Sequence, residues 1–248
     1  MSPTSAPDPP VPGPEALRPR ISWGIGDVVA AWFAGFLVSV VAGAFVGVRT
    51  SPTELAALII AQDGTIVAWL AVVARRKGRG SLEADFGLRA IPRGKPWWDD
   101  ARWFFAGVGL QLVWIPGILL LQEVHGTVAR QEAVRIASRS SGFAIPLLFL
   151  AVGVLAPVAE ELLFRGALLR SLLRKTTPGW AVFISAAVFG LVHFGDPSIG
   201  TLIAFPAILS LGLVSGYQAA KTGDLSRSIM LHVGFNTLSV IDLLIEIT

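Results

Sequence analysis

Seven apolar runs divide this chain, and their lengths leave few folds open. They cover Val28 to Val48, Leu55 to Ala74, Trp103 to Leu121, a fourth starting at Phe143, about Trp180 to Phe194, Ile199 to Ala219 and Ile229 to Ile247. A membrane-crossing helix needs ~20 apolar residues. Within lipid it must also satisfy its own backbone N–H and C=O groups. The runs therefore predict an all-α, polytopic transmembrane helical bundle of about seven to eight spans. Composition agrees. Only 15% of the 248 residues are charged and 53% are hydrophobic, against roughly 25% charged in soluble domains. The chain has no cysteine, which excludes disulfides and thiol chemistry.

Residues 1–20 are Pro-rich and polar. They lack the apolar core and small-residue cleavage site of a signal peptide and are expected to form a disordered cytoplasmic tail. The transmembrane domain is expected over 21–248. Basic residues set its orientation. Arg18 and Arg20, the group from Arg75 to Lys95, the group from Arg165 to Lys175, and Lys221 with Arg227 all fall on one side of a seven-span arrangement. The opposite loops are poor in basic residues, except for Arg130, Arg135 and Arg139. This places the N-terminus in the cytoplasm and the chain in the cell membrane. Trp97, Trp98 and Trp103 suit an interfacial aromatic belt. The net charge of +3 is modest, and no nucleic-acid partner is expected.

Against this apolar background, three polar groups stand out. They are Glu160-Glu161-Leu-Leu-Phe-Arg165, Phe189-Gly-Leu-Val-His193 and His232-Val-Gly-Phe-Asn236. A carboxylate inside a membrane costs roughly 2.5–3.5 kcal/mol on insertion scales, so it faces protein or a watery cavity and marks a functional site by default. Glu161 and Arg165 are four apart on one helix face and can pair. Glu160 lies ~100° around the helix and can point elsewhere. His232 and Asn236 also share a face. The third histidine, His125, falls in a polar outer loop and is read as solvated.

Depth relates the groups. With a helical turn near Thr176 to Pro178, Glu160 is ~21 Å and His193 ~22 Å from that turn, at ~1.5 Å per residue. His232 is ~9 Å beyond Ser226. The three levels coincide if the hairpin tip projects ~12 Å into the cytosol. One polar centre then lies nearer the cytoplasmic face.

Taken singly, each group has a bland reading. Glu161–Arg165 is a structural clasp, His193 a packed core residue, Phe189 its packing partner, and Asn236 helix–helix glue. Their shared depth favours chemistry. Glu160 can take a proton from water as general base. His193 can hold or activate that water, or ligate a metal. His232 and Asn236 can donate hydrogen bonds to the oxyanion formed when water attacks an amide. Glu161 and Arg165 would support Glu160 and offset buried charge.

In this order, the three groups resemble the CPBP family of intramembrane proteases, which includes CAAX prenyl endopeptidases and bacterial Abi, or bacteriocin-processing, proteins. The family pattern is EExxxR, then FxxxH, then HxxxN, and it is complete here over roughly Phe143 to Asn236. The catalytic part is accordingly expected at 143–248. The resemblance implies a helical membrane protease with a cytosol-facing cavity. In it the residues matching Glu160 and His193 activate water, and those matching His232 and Asn236 form the oxyanion site. Glu160, His193 and His232 also match a catalytic zinc set by ligand type, but His232 cannot be both ligand and oxyanion donor. A metal-independent route is favoured. The expected partners are the lipid bilayer and a membrane-associated or lipidated peptide or protein as substrate. Two competing readings are a non-catalytic membrane scaffold or immunity-type regulator, and a proton-coupled transporter using Glu160 and His193 as a relay.

Overall fold

The computed structural model describes residues 21–46, 52–89, 98–125, 144–193 and 199–245. The expected tail over 1–20, Trp97, and the loop bearing Arg130, Arg135 and Arg139 lie outside these. Among the described residues there are eight helices and no strand. They are α1 (Ile25–Val46), α2 (Pro52–Lys77), α3 (Leu82–Phe86), α4 (Trp98–His125), α5 (144–173), α6 (Pro178–Val192), α7 (Ile199–Thr222) and α8 (Ser226–Ile245). Each of the seven apolar runs is a helix, and α3 is a short extra turn. His125 ends α4 rather than lying in a loop.

By length and composition, α1, α2, α4, α5 and α7 are apolar enough to cross a membrane. Helix α8 is 20 residues long, and α6 is the short one. Helix α6 has 15 residues, or ~22 Å, against a hydrocarbon layer of ~30 Å. It starts where Thr177 turns extended and Pro178 takes the first helical position, a placement that uses proline's missing N–H. It stops at His193.

Helix α5 is not uniformly α-helical. It widens to π geometry over Ala151–Leu155 and again over Leu162–Leu168, on either side of the α-helical turn Ala156–Glu161. π segments inside α-helices occur mostly at functional sites. Two outside groups brace them. The Asn236 Nδ2 donates to the Val152 carbonyl at 3.1 Å, and the Ser185 Oγ donates to the Phe164 carbonyl at 2.9 Å. The first has a local cause. The Ala156 N–H reaches back to the Ala151 carbonyl, and Pro157 has no N–H to offer Val152.

The main core joins α1, α2, α3 and α5 to α6, α7 and α8 through Ala31, Leu70, Phe86, Leu162, Leu169 and Leu231, all nearly inaccessible. Glycine sets the closest crossing. A Cβ on Gly107 would strike the Leu231 carbonyl, and one on Gly234 would strike the Phe104 carbonyl. α4 and α8 therefore touch backbone to backbone. At one end a clasp ties four connections together. The Trp23 Nε1 donates to Asp85 at 2.9 Å, and Arg174 lies 4.1 Å over the Trp23 ring. Arg170 donates to the carbonyls of Asp85 and Gly223 at 3.0 and 2.6 Å. Among the described basic residues, Arg79, Arg170 and Arg174 meet at this end of the bundle.

Candidate active site

Three helices place side chains at a common centre. α5 contributes Glu160, Glu161 and Arg165, and the end of α6 contributes Phe189 and His193. α8 brings His232. Burial separates the two adjacent glutamates. Glu161 and Arg165 are completely buried, whereas the Glu160 side chain is 25% exposed. The Arg165 Nη1 is 3.2 Å from the Glu161 Oε1, and its guanidinium stacks 4.2 Å from the centre of the Phe189 ring. Such a contact holds a desolvated cation by the ring quadrupole.

His232 links the two carboxylates. Its Nδ1–H donates to Glu161 Oε1 at 2.9 Å, and its Nε2 lies 3.6 Å from Glu160 Oε2. His193 is arranged in parallel. Its Nδ1–H donates to the Phe189 carbonyl at 2.7 Å, and its Nε2 lies 3.8 Å from the same Glu160 oxygen. Both rings are thus oriented by their Nδ1 and present Nε2 to Glu160. Phe189 packs against both rings, with centroids 4.6 Å from His193 and 5.6 Å from His232. Its role exceeds the expected packing against His193, because it also carries Arg165.

Glu160, Glu161, Arg165, Phe189, His193 and His232 are therefore in one cluster, while Asn236 bonds to Val152 earlier on α5. Two are used differently from the simplest expectation. His193 does not sit within a helix but caps its end, and a short α6 is what delivers it. Asn236 commits one N–H to the Val152 carbonyl, so a single amide N–H of its two remains for other use. Zinc fits poorly. Among the described residues, no group of three or more His, Asp or Glu is arranged to hold a metal ion.

Ser185 and Asp63 fall outside the motifs. Ser185 braces the second π segment. Asp63 is 7% exposed, and its Oδ2 is buried with no hydrogen-bond partner. It is an acid within the apolar run Leu55 to Ala74, the same signal that marks Glu160.

A family match falls on this same part of the chain. Residues 142–238 match the family "Type II CAAX prenyl endopeptidase Rce1-like". All three motifs lie inside the Rce1-like segment, which supports the resemblance they carry. A Bacillus subtilis (strain 168) protein, "Putative membrane peptidase YdiL", is 30% identical over 98 residues, covering 40% of this chain and 38% of that protein. An Escherichia coli protein, "Uncharacterized 24.3 kDa protein", is 24% identical over 135 residues, covering 54% of this chain and 61% of its own length. The chain thus spans less than two thirds of either relative. No solved structure matches it.

Proposed function

We propose that this chain is an intramembrane endopeptidase of the CPBP type, with its catalytic part at 143–248 and its site open towards the cytoplasm. One observation carries the reading: the Nε2 atoms of two oriented histidines converge on a single oxygen of a partly exposed glutamate. The Rce1-like match and the peptidase name of one relative support it.

A separation of 3.8 Å between Glu160 and His193 is too long for a direct hydrogen bond. It suits a water set beside the line between them. With Nδ1–H committed to Phe189, neutral His193 presents a lone pair at Nε2. The water would donate one proton to His193 and the other to Glu160, leaving its oxygen free to attack a peptide carbonyl. Glu160 takes the proton as the C–O bond forms and returns it to the leaving amine as the C–N bond breaks. The remaining Asn236 N–H would stabilise the tetrahedral oxyanion. His232 joins it only when its ring carries both protons, because Nδ1 already serves Glu161. Glu161 and Arg165 orient His232 and do not meet substrate. The substrate class is a membrane-associated or lipidated peptide or protein.

The test is cleavage of a quenched lipidated-peptide library by the purified full-length chain in detergent, with and without chelator. Wild type is expected to cleave with or without chelator, and Glu160→Ala and His193→Ala are expected to be folded and inactive. Cleavage that survives Glu160→Ala would overturn the mechanism. A well-folded wild type that binds a membrane partner but cleaves no member would favour a scaffold.

A further inference from the structure

Helix α3 lies outside the matched segment and contributes no group to the mechanism above, yet its place is closely fixed. Five residues do not form a stable helix by themselves. Ser81 caps the start through the Ala84 N–H, and Gly87 closes the end at φ +79°, a left-handed backbone that suits glycine. The Asp85 carboxylate accepts from the Trp23 indole at 2.9 Å and from the Arg79 N–H at 2.7 Å. The Asp85 carbonyl accepts from Arg170 of α5 at 3.0 Å, and the Gly87 carbonyl from the Leu225 N–H at 3.1 Å. What this frame positions is Phe86. Its side chain is fully buried and its ring lies 4.8 Å from that of Trp23. A Cβ at Gly166 would stand 3.0 Å from both the Phe86 Cβ and the Phe86 carbonyl oxygen. Gly166 belongs to the second π segment of α5 and directly follows Arg165.

We propose that Phe86 is a positioning residue of the active site: seated on Gly166, it holds the second π segment and, through it, the Glu161–Arg165 pair that orients His232. Glu161 immediately precedes that segment, and Arg170 follows it by two residues. A change of register by one residue between them would turn Glu160 and Glu161 by ~100° relative to Arg170. Both carboxylates would then leave His232. α3 opposes such a change at two points, with Phe86 against Gly166 and the Asp85 carbonyl on Arg170. Ser185 holds the same segment from α6 through the Phe164 carbonyl. The first half of the chain thereby takes part in the catalytic unit. This deepens the protease reading and rests on it for its catalytic meaning, but the placing of His232 can be read without turnover.

The experiment is imidazole nitrogen NMR of the purified full chain in detergent, labelled with 15N-histidine, together with kcat and KM for cleavage. The chain has three histidines, and His232→Gln assigns the signal of interest. Phe86→Ala is compared with Phe86→Leu and with Leu58→Ala, a cavity variant at a buried position in the far half of α2. Phe86→Ala is expected to shift the His232 Nδ1 signal as its bond to Glu161 loosens, and to lower kcat by about tenfold or more with KM unchanged. Phe86→Leu, which keeps bulk on Gly166, should retain the wild-type signal and most of kcat. Leu58→Ala should lose Tm without moving the signal. An unmoved His232 signal in folded Phe86→Ala would overturn the proposal. If Phe86→Ala fails to fold, Gly166→Ala tests the same contact from the other side, and an unmoved signal there overturns it equally. A shifted signal with no cleavage by any variant, wild type included, would retain the positioning of His232 while removing the protease reading.

Discussion

Asn236 reaches from α8 to the carbonyl of Val152 on α5, 3.1 Å away, at the point where Pro157 interrupts the helix's own hydrogen bonding. A residue expected to face substrate is thus also a brace for the helix that carries Glu160. The two roles compete for one amide but are compatible, because that amide has two N–H groups.

They can be separated by comparing two braces. Ser185→Ala removes only the bond to Phe164, and Asn236→Ala removes the bond to Val152 together with the free N–H. Loss of an oxyanion donor costs about 10²–10³ in kcat. Loss of a buried hydrogen bond costs about 1 kcal/mol of stability. Asn236→Ala is therefore expected to lower kcat by about two to three orders of magnitude with little change in KM, and Ser185→Ala by about tenfold or less. Equal losses in steady-state assays would mean that Asn236 acts through the backbone alone.

The adjacent glutamates should respond in opposite ways to the same substitution. Glu161→Gln leaves a fully buried Arg165 without its counter-charge, and breaking such a pair costs about 3–5 kcal/mol. Thermal unfolding in detergent should show a clear fall in Tm. Glu160→Gln removes a partly exposed charge, so its Tm should match or exceed that of wild type while cleavage disappears. A large Tm loss in Glu160→Gln and none in Glu161→Gln would invert the assignment of base and support.

Phe189 is the surface on which Arg165 and both histidines rest. Phe189→Leu keeps an apolar side chain but removes the ring face from the guanidinium, a contact worth about 0.5–2 kcal/mol. Tm should fall by less than in Glu161→Gln. Activity should fall as well, since both imidazoles lose their packing wall, whereas Phe189→Tyr should keep most of the Tm. Unchanged activity in Phe189→Leu would show that the Nδ1 hydrogen bonds orient the two rings unaided.

The sequence made the helices and the motif cluster legible because both signals are local. Apolar length marks a span, and an acid or imidazole inside a span marks a site. Equal depth from a shared turn was enough to bring Glu160 and His193 to one level. The π segments were not legible in that way. Counting at ~1.5 Å per residue assumes a regular helix, and Pro157, three residues before Glu160, was the sign of irregularity. Asp63 carried the same signal as Glu160 but stood alone, outside any motif. Ser185 carried none, since its bond depends on where α6 crosses α5.

The crossing of α4 and α8 offers a test of how far the site depends on helix position. His232 and Gly234 lie on the same helix two residues apart, and a Cβ at 234 would strike the Phe104 carbonyl. Backbone cannot yield as a flexible side chain can, so Gly234→Ala must move α8 away from α4, at about 1–3 kcal/mol or more for overpacking. The displacement carries His232 and Asn236 with it. A misplacement of ~1 Å at a catalytic group can cost ~10²-fold in rate. Gly234→Ala should therefore lose activity far beyond its fall in Tm. Gly109→Ala, on the same α4 but with open space around its Cβ, should leave both unchanged. If Gly234→Ala retained full activity, the two helices would have to slide at this crossing without disturbing the contacts between His232 and the two glutamates.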